Sequence, residues 1–158
     1  MANNFLVSVQ GIEEPEWLCR VEPFMQKIAG ELLIDGQEAS VMFCGDETIR
    51  QLNKDYRNID APTDVLSFEN GEKFLDQEGQ EWLLAGDIAI SVDTLKKNAE
   101  YFGDDINSEL KRLLLHGLLH LNGYDHGEEH IEKGKEPECQ MLKLQEETLL
   151  KLKGEKII

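Results

Sequence analysis

A chain of 158 residues with 41% apolar content suffices for one domain around one hydrophobic core, and is too apolar for a disordered polymer. Thirty-two acidic against sixteen basic side chains leave a formal charge of −16, which argues against non-specific adhesion to nucleic acid or anionic lipid but leaves room for a local basic cleft. No run approaches the ~20 apolar residues that cross a bilayer, and MANNFLVSVQ lacks the order of a secretion signal, so no membrane role and a cytoplasmic location are expected.

FLVSVQ (Phe5–Gln10) alternates apolar and polar residues and predicts a strand. From Pro15 a helical pattern runs through Trp17, Val21, Phe24, Met25 and Ile28. EASVMFC (Glu38–Cys44) is a second strand. Asp46 suits the cap of a short helix carrying Ile49 and Leu52 to about Tyr56. The loop RNIDAPTD, punctuated by Pro62, leads into a third strand, VLSF (Val65–Phe68). Residues 70–84 are polar and read as a hairpin excursion before the fourth strand, GDIAIS (Gly86–Ser91). Ser91 can cap a helix to about Phe102, with Gly103 just past its end. Asn107 or Ser108 can cap the next, which runs to about Leu121 and stops at Gly123. Leucines repeat among charges from about Glu129 to Lys153, an amphipathic closing helix. Strands come early and helices late, with some interleaving. The expected fold is α+β: one domain over residues 1–158, a mixed four- to five-stranded sheet packed with helices. Cys19, Cys44 and Cys139 are scattered and show no C-x-x-C spacing, as reduced thiols would be.

HGLLHLNGYDH (residues 116–126) holds three of the four histidines. His116 and His120 lie about 40° apart on one helix face, one turn apart along the axis. Gly123 can turn the chain so that His126 approaches the same point. Buried imidazoles among leucines each need a partner or cost a few kcal/mol. As core histidines they would need separate partners; one metal ion satisfies them together. Three neutral nitrogens with an open fourth position are the catalytic pattern for zinc, although imidazole also suits nickel, copper or iron. The H-x3-H-x5-H spacing resembles that of metzincin proteases, yet the position of their general base is Gly117, which weakens peptide hydrolysis. His130 follows His126 by four residues, but the polar stretch EEHIEKGKE reads as a solvated surface.

HGLLHLNGYDH also resembles the signature of the YbeY family, bacterial endoribonucleases of ribosomal RNA maturation. LNKDYRNIDAPTDVLSF (Leu52–Phe68) and AGDIAISVDT (Ala85–Thr94) resemble that family's upstream motifs, in the same order. The resemblance implies a single α/β domain, a zinc-like metal on His116, His120 and His126, and hydrolysis of single-stranded RNA. It implies work on ribosomal RNA ends and in ribosome quality control, with ribosomal RNA as the partner; a ribosomal protein could deliver that substrate if the surface near the histidines is uniformly negative. The family's "YR" arginine falls on Arg57. A guanidinium there could pair with the charge that builds on phosphodiester oxygens; a surface ion pair with Asp55, Asp60 or Asp64 is the plainer alternative. Asp125 could orient an imidazole N–H or stabilise the turn. Asp64 and Asp87 are further candidates at strand starts. Lys54 and Arg112 are candidate substrate contacts, among possible cleft residues that include Arg50, Lys96, Lys97 and Lys111. Two other functions fit less well. One is a metal hydrolase of peptide or amide bonds. The other is a non-catalytic ribosome assembly factor with a structural metal, although structural zinc is usually closed by four protein ligands.

Overall fold

A computed structural model describes residues 2–127, 131 and 136–158. In chain order the elements are β1 (Asn4–Val9), a 3-10 turn (Leu18–Arg20), α1 (Val21–Glu31), β2 (Gln37–Cys44) and α2 (Asp46–Arg57). They continue with β3 (Val65–Leu75), β4 (Glu81–Ser91), α3 (Val92–Phe102), α4 (Ile106–Leu121) and α5 (Gln140–Lys151). The four strands form one mixed sheet in the order β1-β2-β4-β3. β1, β2 and β4 run parallel, and β3 pairs antiparallel with β4. This is the α+β architecture that the segregation of strands and helices predicts.

Strand alternation divides the apolar residues between the two sheet faces. Val41, Phe43, Ile88 and Ile90 join the main core, with Met25 and Ile28 of α1 and Leu114 and Leu118 of α4. Cys44, Leu66 and Ala89 form a smaller cluster with Ile49 of α2. Burial pushes the Cys44 thiol up to about 11, so it stays protonated at neutral pH. Cys19, Cys44 and Cys139 form no disulfide among the described residues. Helix α4 is apolar around most of its circumference because it has neighbours on most sides: β3, β4, α1, α3 and α5. Leu110, Leu114, Leu115 and Leu118 of α4 are completely buried.

Several boundaries differ from the sequence reading, each for a local reason. The polar segment 70–84 is the outer half of a long hairpin, whose strands reach Leu75 and Glu81. Its β3 side, from Asn70 to Leu75, is exposed and needs no apolar alternation, whereas Trp82, Leu83 and Leu84 on the β4 side are half-buried, Leu83 and Leu84 pairing with β2. Asp76 closes the tip by accepting from the Glu78 and Gln80 N–H groups and from the Trp82 indole. Gly45, not Asp46, is the N-cap of α2. Asp46 instead accepts from the Ser91 and Thr94 hydroxyls and from Lys97, tying the start of α2 to α3. Asp105, not Asn107 or Ser108, caps α4, accepting from the Ser108 N–H at 2.7 Å. Asn107 is committed elsewhere, to the Glu155 carbonyl and the Ile157 N–H. The helix expected from Pro15 begins at Val21 after the 3-10 turn. The closing helix begins at Gln140 rather than near Glu129; Glu129 lies outside the described residues, and Ile131 and residues 136–139 are not helical. Pro137 disfavours helical backbone at the residue before it.

Gly86 sets the spacing between this hairpin and α4. Its φ is +142°, and a β-carbon there would stand 2.0 Å from the Phe68 carbonyl oxygen and 2.9 Å from Leu121. No side-chain rotation relieves a clash with backbone. Gly86→Ala is therefore expected to destabilise the protein by about 2–4 kcal/mol, through left-handed strain and overpacking together. Urea unfolding would measure it, and a loss within ~0.5 kcal/mol of zero would contradict this packing.

Candidate metal centre

His116 and His120 sit one turn apart near the C-terminal end of α4, with ring centroids 4.6 Å apart. The helix ends at Leu121, and Gly123 takes the left-handed conformation, φ +89°. The Gly123 N–H then donates to the His120 carbonyl, and the Tyr124 N–H to the Leu119 carbonyl. That turn carries His126 back toward the helix. Its ring centroid lies 5.1 Å from that of His116 and 5.2 Å from that of His120. One nitrogen from each ring lies within 4.8 Å of the others. Among the described residues, these three are the one His, Cys, Asp or Glu group compact enough to hold a metal ion.

The hydrogen bonds behind the rings determine which nitrogens face one another. His116 Nδ1 lies 2.8 Å from Gln145 Oε1, and His120 Nδ1 lies 3.0 Å from the Tyr124 carbonyl oxygen. A backbone carbonyl only accepts. The Gln145 amide is oriented by its own nitrogen, which donates to Glu146 Oε2 at 2.9 Å. Both Nδ1 atoms are therefore donors, and in neutral rings the proton-free atoms are the two Nε2, which face each other at 3.1 Å. Two lone pairs at that distance repel. A cation between them converts the repulsion into two bonds, with the Nδ1 partners holding the ring planes. Burial, with a smaller effect from His126, also pushes the His120 imidazole down, which favours its neutral, ligating form. The donor set fits zinc or another divalent transition metal that favours nitrogen.

The histidines open onto a cleft of about 790 Å³, whose walls include Arg57, Asp64, Glu69, Asn98 and Arg112. Arg57 is the last residue of α2 rather than a loop residue. Its Nη2 donates to the Ser67 carbonyl at 2.7 Å, and its guanidinium carbon lies 5.5 Å from the centre of the Phe68 ring. Among the described residues it forms no salt bridge. The aspartates offered as its alternative partners are engaged elsewhere: Asp60 with Arg50, Asp55 with Gln51, Asp64 with Asn98. The Arg57 charge thus faces the cleft without a carboxylate partner.

The other candidates are placed as follows. Asp64 accepts from the Val65 N–H, the Thr63 hydroxyl and Asn98, bracing the loop against α3, and burial pushes its carboxyl up. Asp125 lines the cleft, but its Oδ1 accepts from the Gly127 N–H, a turn contact. Asp87 accepts from the Ser40 hydroxyl on the neighbouring strand and lies outside the cleft lining. Lys54 is an exposed residue of α2, also outside that lining. Arg112 lines the cleft but faces three carboxylates, Asp104, Glu109 and Glu146. Lys111, read as a possible cleft residue, is buried and donates to the Leu152 and Glu155 carbonyls. Arg50 and Lys97 are paired with Asp60 and Asp46. His130 lies outside the described residues.

Gly117 has a packing role. A β-carbon on it would come within 2.9 Å of Ile88, so this side of α4 presses directly on β4. Even a β-carbon is crowded here, so packing against Ile88 disfavours the glutamate that a protease-type base would need at this position. Gln145 is the site residue that sequence reading missed. Its signal was a glutamine on the apolar face of a closing helix, where it is only 1% exposed.

The model of the family described as Endoribonuclease YbeY matches residues 7–153. A Treponema denticola protein named Endoribonuclease YbeY is 49% identical over 138 residues, covering 87% of this chain and 85% of that protein. A protein of the same name from Treponema pallidum is 42% identical over 147 residues, or 93% of this chain and 88% of its own length. An Aquifex aeolicus protein of that name is 40% identical over 133 residues, covering 84% and 82%. A solution structure from Thermotoga maritima superposes with a TM-score of 0.62 at 25% identity, over 95% of this chain and 89% of that one.

Proposed function

The chain belongs to the YbeY endoribonuclease family, and on that premise we propose that it is a metal-dependent hydrolase that cleaves single-stranded RNA in ribosomal RNA maturation and ribosome quality control. The observation that carries the metal chemistry is the set of three converging imidazoles, joined by no fourth compact ligand among the described residues. A structural zinc would be closed by four protein ligands. The three imidazoles line the same cleft as Arg57.

His116, His120 and His126 would hold the ion, with Gln145 and the Tyr124 carbonyl fixing two of the rings. When bound, zinc or a similar divalent metal supplies Lewis acidity toward a phosphoryl oxygen or a water. Arg57 presents its remaining N–H donors to the cleft, where a scissile phosphate would gather negative charge. Its contact with the Ser67 carbonyl restrains the guanidinium before substrate arrives. The cleft walls also carry Asp64, Glu69, Glu109 and Asp125, so the binding surface is electrostatically mixed. Arg57 and Arg112 are the cations among the described lining residues, and Arg112 is paired with carboxylates, so affinity for RNA at this cleft should depend weakly on salt compared with basic RNA binders. Delivery of ribosomal RNA by a ribosomal protein is consistent with that balance. No described helix is long and apolar enough to cross a membrane, and the proposed location is the cytoplasm.

Metal analysis of the full-length protein, followed by assays on ribosomal RNA precursors and on casein, tests this function. The expected result is about one transition-metal ion per chain, RNA cleavage lost on chelation and restored by zinc, and intact casein. Full-rate RNA cleavage by metal-free protein would overturn the metal reading. Casein hydrolysis without RNA cleavage would overturn the substrate reading.

A further inference from the structure

The metal-bearing helix α4 and the closing helix α5 are joined by a continuous polar chain inside an otherwise apolar contact. His116 Nδ1 lies 2.8 Å from Gln145 Oε1. The Gln145 amide nitrogen donates to Glu146 Oε2 at 2.9 Å. Arg112, one turn before His116 on α4, closes the circuit by donating to both Glu146 oxygens at 3.2 Å. Arg112 is also held by Glu109 at 2.8 Å. Gln145 is nearly sealed from water, so an unsatisfied amide here would be expensive. Nothing about helix packing requires a polar residue at this position; the neighbouring Met141 and Leu142 are 1% exposed and apolar.

We propose that Gln145 is the positioning residue of the metal centre, holding His116 in the tautomer and ring plane that present Nε2 to the ion, with Glu146 and Arg112 fixing the amide. The inference rests on the metal reading given above. A glutamine can orient itself in only one way here. Glu146 accepts and cannot donate, so the amide nitrogen must face it, and the carbonyl oxygen must face His116. The ring nitrogen that donates to this oxygen cannot bind metal, and the opposite nitrogen is left to do so. The helix that carries Gln145 is itself anchored to α4. Buried Lys111 donates to the Leu152 carbonyl at 2.9 Å and to the Glu155 carbonyl at 3.1 Å. Asn107 accepts from the Ile157 N–H at 2.7 Å. Both anchors lie on α4, so the last residues of the chain fasten α5 at the height at which Gln145 meets His116.

The test uses the full chain with Gln145→Met, which keeps length and removes the hydrogen bonds. A second variant, the swapped pair Gln145→Glu with Glu146→Gln, again places an acceptor beside His116 and a donor between the two side chains. Nitrogen-15 spectra of the metal-free proteins, at a pH where the rings are neutral, read the His116 tautomer directly. Zinc affinity is read by competition with a chelator. The wild type and the swapped pair should show a proton on Nδ1 of His116. Gln145→Met should show a tautomer mixture and bind zinc about 10–100-fold more weakly, the usual effect of losing such a partner. The swapped pair should recover most of that loss, which a merely space-filling role for Gln145 would not allow. An unchanged tautomer, or unchanged zinc affinity, in Gln145→Met would overturn the proposal. If Gln145→Met does not fold, a swapped pair lacking the Nδ1 proton would overturn it equally. A wild type that binds no zinc would sink the metal reading instead, and the tautomer in the metal-free protein would still decide the role of Gln145.

Discussion

Replacing His116 and His120 together by alanine is expected to abolish metal binding and RNA cleavage in one step. The pair supplies two of three protein ligands, and its Nε2 atoms face each other at 3.1 Å. One remaining imidazole cannot retain a catalytic ion in an accessible cleft. Each substitution also leaves an acceptor behind: Gln145 Oε1 in one case, the Tyr124 carbonyl in the other. An unsatisfied buried acceptor costs about 1–3 kcal/mol. The same double variant removes the repulsion between the facing nitrogens, which offsets part of this in metal-free protein. The net expectation is a folded protein with no stoichiometric metal and no cleavage above background. Elemental analysis, a thermal melt and a ribosomal RNA precursor assay decide it. A folded, metal-free double variant that cleaves at the wild-type rate would remove the histidines from the chemistry.

Arg57→Ala is expected to leave the metal in place and to lower kcat by about 10²–10³-fold, the usual loss when one positioned donor to transition-state charge is removed. The residue holds no metal ligand, and its hydrogen bond to the Ser67 carbonyl lies at an exposed position. Solvent can replace that bond, so stability should change by less than about 1 kcal/mol. Arg57→Lys separates charge from geometry. It keeps a cation but loses the planar fork that grips two phosphoryl oxygens at once. Its activity should fall between those of the wild type and the alanine variant. If Arg57→Ala retains full kcat and KM and binds zinc normally, Arg57 has no part in the reaction. A rise in KM with unchanged kcat would make it a ground-state contact only.

The legibility of this fold followed the range of the interactions concerned. Strand cores such as VLSF and GDIAIS were readable because alternation is local. The outer hairpin was half readable. Its polar residues mark an excursion, but the outer part of β3 is exposed on both faces and has no apolar period to count. Helix caps were misread at Asp46 and Asp105 because several adjacent residues could cap equally well, and contacts with α3 and the C-terminal residues chose between them. Lys111 looked like a surface cation in the sequence. It is buried because the carbonyls at the end of α5 accept all that its ammonium donates.

The sequence by itself determined the three candidate ligands and the turn that gathers them, since helix periodicity and one glycine are properties of adjacent residues. It also carried the motifs that tie the chain to its family. Only the tertiary structure decided which nitrogen of His116 is available, because its partner stands 29 residues away on another helix. It likewise decided that Arg57 lines the cleft with no carboxylate partner among the described residues, and that Gly117 presses on β4. Hydrogen-bond direction, charge pairing and close packing depend on what folding brings alongside a residue, and no local period encodes that.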